Sequence, residues 1–222
     1  MKKIIASLLL LLMVSGCGGQ EVAIVDYKAS YKEALMEIAF QDPYKFFCGS
    51  EVVTRGLMPA EFFESENRKG MEEAFNDPLR VKKVLLVGAT VAGFSVFFKT
   101  KEQSIESFRK MAQERGFAFN EEQIKKAMPN LKETDAECEQ FAKIESLAVS
   151  QAFRGKGYGR LLLQKSEQEI KQLWPFLKKI ELETNATNEA ARKLYLSEGY
   201  KISENQPAHA QIMNTVQYEK NI

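Results

Sequence analysis

The chain has 222 residues, 45% of them hydrophobic and 10% aromatic, which is material for one globular domain with a sizeable core. Thirty-one Lys and Arg stand against 30 Asp and Glu, so charge implies neither nucleic acid nor an anionic membrane surface as a partner. A single histidine, His209, and three cysteines without finger-like spacing exclude a multi-histidine site, and no metal is expected.

In chain order, Lys2 and Lys3 precede an apolar run from Ile4 to Val14 and then small residues. Eleven residues rise about 16 Å as a helix, far short of a bilayer core of about 30 Å. Residues 1–16 therefore read as a secretory signal peptide, with an ordinary uncleaved N-terminus as the alternative. The stretch VSGC resembles the bacterial lipobox. That resemblance implies a lipid on Cys17, a linker over 17–21, a domain over 22–222 and attachment to a bacterial cell envelope; an unused signal would leave the chain cytoplasmic. Cys48 and Cys138 then either pair in an oxidising compartment or stay separate thiols.

Val22–Lys28 reads as a strand. A helix follows, with Tyr31, Leu35, Ile38 and Ala39 at helical spacing, until Pro43 ends or bends it. A second helix starts near Met58 and Pro59 and runs to the Asp77–Pro78 break. Residues 81–100 read as a hairpin turning at Gly88–Thr90. Residues 101–139 carry Ile105, Phe108 and Met111, then Ile124, Ala127 and Met128, at helical spacing. They read as one or two surface helices, either facing substrate or making a solvated excursion. Then come a strand over Phe141–Ser150, a glycine-rich turn, a helix over about 157–173, a strand over 177–185, a short helix from Asn188, and one or two terminal strands. The order predicts a mixed α/β fold with a mixed sheet.

The turn AFRGKGYGRLL is the chemical signal. A strand, a glycine turn and a helix N-terminus can converge several backbone N–H groups on an anion, and Arg154, Lys156 and Arg160 add charge. A Walker loop needs Ser or Thr where Gly157 follows Lys156. A dinucleotide fingerprint needs glycine where Arg160 stands. The pattern Arg/Gln-x-x-Gly-x-Gly/Ala is met by Arg154, Gly157 and Gly159. A second signal follows in IELETNATNEAARKLYLSEGYK, with Asn188, Ala191, Leu194, Tyr195, Gly199 and Tyr200. Together these residues resemble the GNAT superfamily of acetyl-CoA-dependent N-acetyltransferases over about 141–202.

That resemblance implies a mostly antiparallel central sheet with a splayed parallel strand pair, flanked by helices, here with a helical insertion at about 101–139. It implies acetyl-CoA as co-substrate, a primary amine as acceptor, and direct attack in a ternary complex. Backbone groups of Leu147 and Val149 would pair with the pantetheine arm. The turn from Arg154 through Gly155, Lys156, Gly157, Tyr158 and Gly159 to Arg160 would cradle the pyrophosphate. Asn188 would bond the arm, act as a helix N-cap, or both. Tyr195 would be the general acid, or a core aromatic. Glu145 stands as candidate base, acting directly or through a water, because it lies at i−2 and i−4 from Leu147 and Val149 and hence on the same face as both. Its alternative is a structural carboxylate, and Glu181 and Glu183 on the next strand are weaker candidates. A monomer or homodimer is expected. The envelope signal and the cytoplasmic co-substrate pull apart, so a membrane-anchored binding protein without turnover stands as the alternative function.

Overall fold

A computed structural model describes residues 20–47, 53–56, 58–116, 118–127, 131–207 and 210–222. Cys17, Cys48 and His209 lie outside the described residues, while Cys138 is a half-buried free thiol. Strands β1 (Val22–Asp26), β2 (Val81–Val87), β3 (Thr90–Lys101), β4 (Gln140–Val149), β5 (Lys179–Asn185), β6 (Lys201–Ile202) and β7 (Thr215–Asn221) form one sheet in the order β1-β2-β3-β4-β5-β7-β6. Every neighbouring pair is antiparallel except β4 with β5. The hairpin turns at Gly88, whose φ of 59° is a left-handed value that favours glycine.

Helices cover both faces. On one lie α1 (Lys32–Phe40), the short α2 (Pro43–Phe46) and α3 (Ala60–Asn76). Their apolar residues Leu35, Ala39, Met71 and Phe75 pack on Val84, Phe94, Val96 and Ala148 of the sheet. Pro43 ends α1 as expected, and it then opens α2 at a position where no helical N–H is needed.

The insertion holds α4 (Ile105–Arg115), boxed at its start by Ser104 and Ser107 and closed by left-handed Gly116, and then α5 (Glu121–Ala127). On the other face, α6 (Tyr158–Leu173) presents Leu162, Leu163 and Ile170 at helical spacing. Leu163 and Ile170 pack with Phe97, Ile144, Ile180, Leu182 and Tyr218, while Leu162 meets Val22, Leu85 and Ala92. α7 (Glu189–Ser197) adds Tyr195 to that layer. α8 (Ala210–Met213) precedes β7. No helix among the described residues is long and apolar enough to cross a membrane.

Candidate active site

Strands β4 and β5 pair only at Ala142↔Ile180, Lys143↔Glu181 and Ile144↔Leu182. Beyond these positions β4 stays with β3 as far as Val149, and β5 stays with β7 as far as Asn185. The register explains the parting. Val96 faces Ser146 and Phe97 faces Ile144, so Glu145 is the extra residue of a β-bulge that bends β4 at the last paired position. Gly93 holds the far end of β4 against β3. A Cβ there would sit 2.5 Å from the Ala148 carbonyl oxygen.

The gap opens into a cavity of about 850 Å³ that is lined from both faces of the sheet. The Ser150 N–H donates to Ala92 O at 2.9 Å, which sets the parity of the strand. Residues 148 and 150 therefore turn their backbone toward β3, while Leu147 and Val149 turn theirs into the gap. The Val149 carbonyl is already engaged, accepting from Arg154 Nε at 3.0 Å.

The glycine turn follows directly. A single 3-10 turn at Gln151–Phe153 leads to Gly155 and Gly157, at φ 76° and 82°, conformations that L side chains rarely adopt. α6 then starts with Gly157 at its cap position, and its first backbone bond runs from Leu161 N–H to Gly157 O at 3.1 Å. Among the described residues the N–H groups of Gly155 to Arg160 meet no backbone acceptor, and all of these residues but Lys156 line the cavity. The cations of the turn are less directly aimed. Arg154 folds back on Val149, Lys156 lies 5.4 Å over the Phe153 ring, and Arg160 pairs with Glu198 at 2.6 Å. Tyr158, Gly159 and Arg160 line the cavity together with Arg154, Gly155 and Gly157, while Lys156 is exposed outside it.

Asn188 caps α7, its Oδ1 accepting from Ala191 N–H at 3.2 Å, and it also lines the cavity. Tyr195 is only 6% exposed; its ring lies 5.6 Å from Tyr218 and 6.0 Å from Tyr200, and it too borders the cavity. Burial, with Glu167 nearby, raises the Tyr200 phenol far above its usual range, so this neighbour stays neutral.

The opposite wall comes from Ile38 of α1, Asp42, Phe46 of α2, Glu145 and Ser146 of β4, and Glu183 of β5. Glu145 reaches this wall but does not share a face with Leu147 and Val149, because the bulge breaks the strand's alternation at that residue. It accepts two bonds from Arg80, at 2.8 and 3.0 Å, and Arg80 also pairs at 2.6 Å with Asp77 just beyond α3. Burial pulls the Arg80 guanidinium down, but the two carboxylates outweigh it and hold the group above its ordinary value.

Glu183 borders the cavity and accepts from the Thr215 hydroxyl. Glu181 stands elsewhere, bound to Lys179 at 2.8 Å and Gln217 at 2.7 Å. No described residue of 101–139 lines the cavity, so the described part of the insertion is an excursion away from the site. Ile38, Asp42, Phe46 and Arg80 carry no motif. The one local signal for this wall is the Pro43 break that turns α1 into α2.

The folds of several solved structures match this one. The PaiA N-acetyltransferase from Thermoplasma acidophilum, in complex with coenzyme A, superposes with a TM-score of 0.52 at 12% identity, over 91% of this chain and 99% of that one. NAA60 from Arabidopsis thaliana, in complex with acetyl-CoA, gives 0.54 at 14% identity, over 90% and 98%. A domain from Methanocaldococcus jannaschii gives 0.55 at 16%, over 91% and 99%. No curated protein sequence matches significantly. A family model described as Acetyltransferase (GNAT) family matches residues 55–200, more than half of the chain and both motifs. The chain belongs to the GNAT acetyltransferase family.

Proposed function

We propose that the protein is an acetyl-CoA-dependent N-acetyltransferase that moves an acetyl group to a primary amine by direct attack in a ternary complex. The observation that carries this reading is a continuous cavity through the β4–β5 gap, which joins a turn of open N–H groups on one face to a separate wall on the other. The residues fit the co-substrate. Gly155 to Arg160 offer N–H donors to a pyrophosphate, and Leu147 and Val149 offer an amide-bearing arm an edge with no partner strand, on which Arg154 already holds the Val149 carbonyl. Asn188 stands beside that edge. When bound, acetyl-CoA supplies an activated acetyl thioester.

Tyr195 sits on the motif face of the gap, where its phenol donates a proton to the departing sulfur. A carboxylate on the opposite wall takes the proton from the attacking amine. Glu145 fills that role from its ion pair with Arg80, and Glu183 is the second candidate across the gap. On sequence grounds alone, Cys17 is the lipidated residue, and the domain over 22–222 is carried at the cell envelope.

Titrating the full-length chain with acetyl-CoA while following thermal stability tests the binding half. A ligand at a hundred times its dissociation constant adds about 2.7 kcal/mol. Release of free thiol across a panel of primary amines tests the chemistry. Stabilisation without thiol release on any amine favours the non-catalytic binding protein, and no stabilisation overturns the acetyl-CoA reading. Mass spectrometry of the N-terminal fragment from fractionated cells tests Cys17.

A further inference from the structure

Two walls of the cavity that are remote in sequence are joined by one side chain. Gln41 lies between α1 and α2, three residues after Ile38 and five before Phe46, both of which line the acceptor side. Its amide clasps the start of the glycine turn. Oε1 accepts from Gln151 N–H at 2.9 Å, and Nε2 donates to Ser150 Oγ at 3.3 Å. The Gln151 side chain answers by donating to the Gln41 carbonyl at 3.3 Å.

The clasped residues are themselves fastened to the turn. Ser150 O accepts from Phe153 N–H, Gln151 O accepts from Arg154 N–H, and Arg154 Nε returns to Val149 O. A continuous set of bonds therefore runs from the residues just before the open N–H groups to the junction of α1 and α2.

We infer that Gln41 is a positioning residue that couples the anion-binding turn to the acceptor wall, so that occupancy of the turn orders Ile38, Asp42 and Phe46. The coupling rests on reading the turn as the coenzyme A pyrophosphate site. A ligand that fixes the turn removes motion from everything hydrogen-bonded to it, and the wall then presents one shape to the amine. Removing the Gln41 amide leaves both walls in place and takes away two of the three bonds between them; only the one from Gln151 Nε2 to the Gln41 backbone carbonyl remains.

Hydrogen exchange of the full-length chain, followed by peptide with and without saturating coenzyme A, tests this. In the wild type, coenzyme A slows exchange at 154–160 and also at 38–47, the latter about fivefold, the lower end of ordinary coupling between sites. In Gln41→Ala, which loses two of the three bonds, the protection at 154–160 persists and most of the coenzyme-dependent change at 38–47 is lost. A merely structural role would speed exchange at 38–47 equally with and without ligand. Gln151→Ala, which loses one of the three bonds, keeps part of the effect and carries the test if Gln41→Ala does not fold. Undiminished protection of 38–47 in either variant overturns the coupling. Absence of protection at 154–160 in the wild type overturns the coenzyme A reading and the coupling with it.

Discussion

At Ala142–Ile144 and Ile180–Leu182, β4 and β5 pair in register, and Ala142, Ile144, Ile180 and Leu182 are buried beneath α6. A few residues later the same two strands form opposite walls of a cavity, and their backbone groups have no strand partner across the gap. Both halves have similar apolar and carboxylate residues. What separates them is backbone geometry: one extra residue at Glu145, a glycine at 93 that keeps β4 close to β3, and continued pairing of β5 with β7. Unmade strand pairing, elsewhere a liability, becomes a ligand surface when a helix N-terminus lies beside it.

The sharpest break of that comparison is Tyr195→Phe, which removes one hydroxyl at the cavity and keeps the ring that packs with Ile144, Ile180 and Leu182. It should lower turnover by at least about a hundredfold while leaving coenzyme A affinity near the wild-type value, read by steady-state kinetics and calorimetry. Full turnover in that variant would remove Tyr195 as the acid.

Next come the two carboxylates of the opposite wall. Glu145→Gln should cost turnover by about a hundredfold while leaving coenzyme A affinity near the wild-type value, read by the same two measurements. If Glu183→Gln does so instead, the base lies on β5 and Glu145 serves to hold Arg80 and Asp77. Gly93→Val tests how the halves are made. Its Cβ meets backbone rather than a flexible side chain, so denaturant unfolding should show a loss of about 1–3 kcal/mol.

The smallest effect belongs to the closed half. Burial raises the Glu181 carboxyl above its ordinary 4.5, only partly opposed by Lys179. A carboxyl raised in the folded state contributes stability that is fully present below 4.5 and lost as pH rises through the folded value. Glu181→Gln should therefore flatten the decline in stability just above pH 4.5 and leave coenzyme A binding unchanged. A decline of the same slope in the variant would assign it to another group.

The two walls differ in how far the amino-acid sequence reveals them. The motif wall is local. Arg154, Gly157 and Gly159 announce a turn because a positive φ, here at Gly155 and Gly157, and an uncapped helix start are properties of adjacent residues. Asn188 and Tyr195 follow for the same reason, as one cap and one helix face. Strand and helix order was legible from periodicity, and the four-residue α2 and α8 were not, since one turn carries no period.

The acceptor wall is tertiary. Ile38, Asp42, Phe46, Arg80 and Glu145 meet only when the sheet is assembled. The bulge that moves Glu145 off the face of Leu147 is a mismatch between two strands, which neither strand shows alone. The clasp by Gln41 joins positions 110 residues apart, and glutamine there has no pattern to mark it.

The most direct measurement of the central claim is a crystal structure of the protein with coenzyme A. The pyrophosphate should lie within about 3 Å of N–H groups between Gly155 and Arg160, with the arm's amides bonded to the backbone of Leu147 and Val149 in the gap. Coenzyme A bound elsewhere, or β4 and β5 closed into a paired ladder beyond Ile144, would contradict it.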